Sequence, residues 1–180
     1  MLYLASSSPS RVALLKKANI AFEQIIIDYD ESSIKKEKPN SYVQKIVLEK
    51  ERQFFAQYPN FKNVLFADSI VCIENEILTK AKNDNEAFKM LNLQNGKSIS
   101  ILSAMVLILE NKKIFNLSKC DIILDEFDLK DMQIYVNSKL YQGKAGAVMC
   151  EGFHKKYIRK IIGHQSTALG LNIELLKAFL

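Results

Sequence analysis

The chain has 180 residues, 48% hydrophobic and 25% charged, and its 25 Lys and Arg against 20 Asp and Glu leave a net charge of +5. A chain of this size and balance can bury roughly 70% of its unfolded surface, which excludes disordered, collagen-like and coiled-coil classes. Two histidines exclude a multi-histidine metal centre, and three cysteines without CxxC spacing exclude a zinc ribbon or a disulfide framework.

Leu2 to Ala5 predicts a short buried strand, and Ser8 before Pro9 predicts the N-cap and first residue of a helix running to Ala18. Ala21 to Ile27 reads as a second strand, and the acidic stretch Asp28 to Glu31 opens a loop ending near Pro39. Ser41 is expected to cap a long helix reaching toward Tyr58. Val64 to Ile73 is an apolar strand that turns through Glu74 and Asn75 into a short one, Glu76 to Leu78. Asp84 to Leu93 has a helical pattern with Gly96 as terminator, and Ser98 to Leu109 with Ile114 to Leu124 reads as a long hairpin. Asp128 to Leu140 is a helix, Tyr157 to Ile161 a strand, and Ile173 to Leu180 a closing helix. Interleaved strands and helices with at least one antiparallel pair define an α/β domain with a mixed sheet, and no repeat or linker divides residues 1–180. The start lacks a basic n-region and the longest apolar stretch, Ile101 to Leu109, is too short for a membrane span, so a soluble, cytoplasmic protein is expected.

Five places carry candidate chemistry. In LASSSPSR, residues 4–11, a strand delivers three serines to a helix start whose free N–H groups suit a phosphate, with Ser8 as cap and Arg11 as a bidentate donor. The plainer account of the same pattern is a capped helix with a surface arginine. Asp68 lies in VLFADSIVCI on the strand face of Val64, Phe66 and Ile70, so it is either a carboxylate satisfied by backbone groups or a general base or metal ligand. Lys50 falls on the helix stripe of Val43, Ile46, Val47 and Phe54, where its ammonium either snorkels to water or meets a buried anion. Asp28, Asp30 and Glu31 offer hard oxygen ligands to magnesium or manganese, or form a solvated loop. Lys80 alone would be a surface lysine, and KAGAVMCEG, residues 144–152, is either a plain turn or a small-residue loop whose backbone approaches a ligand, with Glu151 near its end. His154 and His164 read as ordinary residues, and Lys155, Lys156, Arg159 and Lys160 as a solvated strand face.

In this order and spacing these segments resemble the Maf family of nucleotide pyrophosphatases over nearly the whole chain. The match rests on LASSSPSR with ALL after it, Asp30–Glu31, Lys50, ADSIV at 67–71, Lys80, KAGAVMCEG and GHQSTALGL at 163–171. The resemblance implies a twisted mixed sheet flanked by helices, with a cleft between two lobes, often as a dimer. It implies cleavage of a nucleoside triphosphate to monophosphate and pyrophosphate with a divalent metal. Asp68 would be the general base, Glu31 with Asp68 the metal ligands, and Ser8, Arg11, Lys50, Lys80 and Glu151 the substrate-binding residues. Ser10 stands where the family has its first arginine, Ala81 where it has a proline after the lysine, and Glu151 where it has a glutamine. Glu151 and Ser10 point to a guanine-like or modified base, such as that of 7-methyl-GTP, as the expected substrate. A weakly catalytic relative that senses nucleotides, linked to cell division, is the alternative. A nucleic-acid binder ranks last, because no basic–aromatic interleaving accompanies the positive charge.

Overall fold

The computed structural model describes residues 1–180. Seven strands form one mixed sheet: β1 (Leu2–Ala5), β2 (Phe22–Ile25), β3 (Val64–Ile73), β4 (Glu76–Leu78), β5 (Ser98–Ile108), β6 (Lys113–Leu124) and β7 (Ile158–Ile162). Six helices join them: α1 (Pro9–Lys17), α2 (Pro39–Gln57), α3 (Asp84–Gln94), α4 (Leu129–Asn137), α5 (Gln165–Ala168) and α6 (Ile173–Lys177). The sheet order is β2-β1-β3-β5-β6-β7, with β4 added to β3. β1 runs parallel to β2 and β3, whereas β4 on β3 and β7 on β6 are antiparallel. The four-residue return from β5 to β6, closed by Leu109 N donating to Lys112 O at 2.8 Å, is a hairpin and so antiparallel as well. No helix is long and apolar enough to cross a membrane.

Most elements fall where the residue pattern puts them, and the differences have local causes. α2 starts at Pro39, whose fixed φ suits the first helical position, so Ser41 lies inside the helix and Lys38 is the N-cap without a side-chain bond. β2 is shorter than its apolar run, and the closing helix stops at Lys177. The 3₁₀ turn Phe153–Tyr157 and the one-turn α5 were not expected, since elements this short carry no periodicity.

The chain packs as two compact units, Met1–Ser69 with Leu102–Ser118 and Ser166–Leu180, and Ile70–Ile101 with Lys119–Gln165. In the first, alternate residues of β3 feed two different layers. Leu65 and Ala67 join Leu14 and Leu15 of α1 and Leu176 of α6 in one buried cluster. Phe66, of opposite parity, meets Phe54 of α2 edge-on at 5.2 Å. Each fully buried Leu or Phe here contributes roughly 1.5–3 kcal/mol. The second unit is built on buried Leu91, Ile99, Ile122 and Met132, with Phe127, Tyr135, Phe153 and Tyr157 as an aromatic cluster.

Candidate active site

The parity of β3 also sorts its two polar residues. Asp68 follows Phe66 toward α2, and Ser69 follows Ala67 toward α1 and α6. Helical spacing brings Lys50 onto the α2 stripe above Asp68, and its Nζ donates to Asp68 Oδ1 at 2.5 Å. The same ammonium lies 3.0 Å from Glu31 Oε1, and the Lys50 and Asp68 side chains are only 13% and 17% exposed. Lys50 therefore meets one largely buried anion, Asp68, and one that is 40% exposed, Glu31, rather than reaching for water. Tyr29 lays its ring 5.7 Å from the ammonium, and its hydroxyl is buried without a partner, which pushes its pKa up to about 12.

Glu31 owes its direction to a tie that sequence patterns did not reveal. Gln53, three residues after Lys50 on α2, accepts from Asp30 N at 2.9 Å and donates to Asp30 O at 2.6 Å. Asp30 turns back on Ser32, accepting from its N at 2.8 Å, and hydrogen bonding from the Ser32 side chain and then its backbone lowers the Asp30 pKa. Of the acidic loop, Glu31 alone pairs with Lys50. The i, i+3 spacing of Lys50 and Gln53 was the available signal.

On the other side, Arg11 is buried at 8% exposure rather than open to an anion. Its Nε donates to Gly170 O at 2.9 Å, Nη1 to Ser6 Oγ at 3.0 Å and Nη2 to Ser69 Oγ at 3.2 Å. Ser69 Oγ also lies 2.9 Å from Ser103 Oγ, so the polar break in the β5 apolar run has a partner. Burial lowers the Arg11 pKa, and the negative charges of Asp68 and Glu31 oppose that shift. Gly170, at φ +105, delivers its carbonyl from a conformation closed to other residues, with Arg11 and Ser69 side-chain atoms 3.5–3.7 Å from where a Cβ would stand. Ser8 caps α1 as expected, accepting weakly from Arg11 N at 3.5 Å. Lys50, Glu31 and Asp68 thus form an ion-paired cluster in the first unit, and Arg11, bonded to Gly170, Ser6 and Ser69, lies near enough to feel the charge of both carboxylates.

Lys80 and Glu151 belong to the second unit and are exposed. Lys80 forms an isolated antiparallel bridge with Ala145, so loop 144–152 lies beside it. Lys156 pairs with Asp131, and Lys155 and Lys160 face solvent, the solvated face expected for that stretch. His154 is fully buried and hydrogen-bonded at both ring nitrogens, and burial depresses its pKa to about 4. No cluster of three or more metal-ligating side chains is present.

A family model described as "Maf-like protein" matches residues 1–180. The chain is 55% identical, over the full length of both, to a nucleoside triphosphate pyrophosphatase of Campylobacter jejuni strain RM1221. It is 37% identical to one from a Nitratiruptor species, across 97% of this chain and 95% of that protein. A third, from Helicobacter pylori strain J99, is 39% identical across 96% of this chain and 91% of its own.

Proposed function

Because the chain belongs to the Maf family, we propose that it hydrolyses nucleoside triphosphates between the α and β phosphates, with residues 1–180 acting as one domain. The observation that carries this reading is the Lys50 ammonium held between a largely buried Asp68 and a half-exposed Glu31. A triphosphate, with about four negative charges, competes for that ammonium and draws it away from the carboxylates. Lys50 then holds a phosphate oxygen and the Ser8 turn at the positive end of α1 holds another, while Lys80 is assigned to phosphate by its likeness to the family's lysine. Asp68, released from Lys50, takes the proton of the attacking water. The water oxygen bonds to the α-phosphorus, the bond from that phosphorus to the bridging oxygen breaks, and the electron pair leaves with pyrophosphate. Arg11 acts behind this chemistry, holding Ser6 and Ser69 in place and lending positive charge to Asp68 and Glu31.

Glu31 and Asp68 would hold a divalent cation, magnesium or manganese. Magnesium takes one or two carboxylates and completes its shell with substrate phosphates and water, and a carboxylate pair without a third protein ligand fits an ion that arrives with the nucleotide. When bound, such an ion offsets the charge gathering on the phosphate oxygens. Glu151, in the loop like the family's base-contacting segment, is assigned to the nucleobase.

The test is a pyrophosphate-release screen of canonical and modified nucleotides with magnesium, manganese or cobalt, run beside Asp68→Asn. Wild type is expected to form equal amounts of monophosphate and pyrophosphate, and the variant to bind nucleotide but turn over roughly 100-fold or more slowly. Release of orthophosphate in place of pyrophosphate contradicts the cleavage site, and a variant keeping most of its rate makes Asp68 structural.

A further inference from the structure

Loop 144–152 of the second unit is held by a chain of buried side chains that the chemistry above does not use. Met149 N donates to His154 Nδ1 at 3.1 Å, His154 Nε2 lies 2.9 Å from Gln94 Oε1, and Gln94 Nε2 donates to Gly146 O at 2.6 Å. Gln94 and His154 are both 0% exposed. The pattern leaves one assignment of protons. An imidazole that accepts at Nδ1 carries its hydrogen at Nε2, so Nε2 donates to the Gln94 oxygen and the amide nitrogen faces a carbonyl. The relay runs unbroken from a backbone donor at Met149 to a backbone acceptor at Gly146. Such a hydrogen-bonded network is strongest in a dry surround, and here the Phe127 and Phe153 rings meet the His154 ring at near right angles with centroids 5.5 and 5.0 Å away.

What the relay holds is strained. Gly146 and Ala147 both have left-handed backbones, at φ +61 and +55, and for alanine that costs about 1 kcal/mol. At Gly146 a Cβ would meet Leu78 and Val71 at 3.2 Å, so the loop is pressed against the β3–β4 hairpin. Gly146 N donates to Thr79 O at 2.9 Å, one residue before Lys80, and Tyr135 Oη donates to Ala147 O at 2.9 Å while its ring stacks on Phe153. Backbone strain held this firmly is found where a loop must present one conformation to a ligand.

We propose that Gln94 and His154 are positioning residues for substrate recognition, fixing loop 144–152 and with it the places of Lys80 and Glu151. The inference rests on the nucleotide-pyrophosphatase reading, which the wild-type screen decides by itself. His154→Leu removes both bonds of the relay at its centre, and Tyr135→Phe removes only the Ala147 bond while keeping the stacked ring. Each variant is compared with wild type, well below its own Tm, for kcat and KM with 7-methyl-GTP, GTP, UTP and dTTP. The expected result for His154→Leu is a KM raised by about tenfold or more and a flattened preference among bases, with kcat within about threefold, because misplaced contacts weaken binding more than they alter the reacting atoms. Tyr135→Phe is expected to shift KM in the same direction by about two- to fivefold, and if His154→Leu does not fold, Gln94→Met, which keeps the volume and removes the bonds to His154 and Gly146, decides the matter by the same KM and base-ranking readout. A lowered Tm with KM and base ranking unchanged would make the relay purely structural and overturn the proposal. A wild type that releases no pyrophosphate from any nucleotide overturns the functional reading, and this inference falls with it.

Discussion

Replacing Lys50 by methionine separates its charge from its stem. The apolar stem stays on the α2 stripe, so packing is kept, and only the ammonium between Asp68 and Glu31 is lost. At an effective dielectric of about 20, each contact near 3 Å has a gross attraction of about 6 kcal/mol. Most of that is offset by desolvating the ammonium and the Asp68 carboxylate. A charge-assisted hydrogen bond nets roughly 1.5–3 kcal/mol, and the half-exposed Glu31 contact adds no more than about 1 kcal/mol. The ligand-free variant should therefore lose about 2–3 kcal/mol and melt roughly 5–10 °C lower. Two further readings of the same melting experiment follow from the geometry. Nucleotide without metal should stabilise wild type clearly more than the variant, because the Lys50 contact to phosphate is gone while those of Lys80 and the Ser8 turn remain. Manganese without nucleotide should do the opposite: in wild type it must displace an ammonium, whereas in the variant the carboxylate pair is free. At a hundredfold excess over its dissociation constant the ion would restore about 2.7 kcal/mol. A variant with an unchanged Tm, equal manganese response and intact nucleotide stabilisation refutes the picture of Lys50 as a cation shared between carboxylates and phosphate.

Arg11→Lys keeps the charge but not the fork that reaches Gly170, Ser6 and Ser69, so urea unfolding should show a loss of about 2–4 kcal/mol; a loss under about 1 kcal/mol would mean the guanidinium is replaceable. Glu151 offers only acceptors, which match the N1–H and N2–H₂ edge of guanine. Wild type is accordingly expected to favour GTP or 7-methyl-GTP over UTP and dTTP in kcat/KM, and Glu151→Gln to narrow the gap by about tenfold. A wild-type preference for UTP, or an unchanged ranking in the variant, contradicts that assignment. His154, depressed to about 4 when folded, stays neutral while the unfolded imidazole protonates near 6.5. Its contribution is complete above pH 6.5 and falls by about 1.4 kcal/mol per unit as pH drops toward 4, some 3 kcal/mol in all. Urea midpoints between pH 7.5 and 4 should show this slope in wild type and lack it in His154→Leu; equal slopes would assign acid lability elsewhere.

Periodicity made the secondary structure and half of the site legible in the sequence. The bounds of β3 and β4 follow from their apolar runs, and the two-residue repeat of β3 with the helical stripe of α2 puts Asp68 and Lys50 where they can meet. These are consequences of bonding geometry within a few residues, which composition expresses directly. Strand order, the burial of Arg11 and the Gln94–His154 relay are of another kind. Arg11 is claimed by a carbonyl 159 positions away, and Gln94 by a ring and a carbonyl 60 and 52 positions away. An arginine after a helix cap looks the same whether its partner is a phosphate or a distant backbone oxygen. The choice is made by whichever acceptor the folded chain carries into the dry space beside it, because a buried donor left unpaired costs more than the bond itself returns.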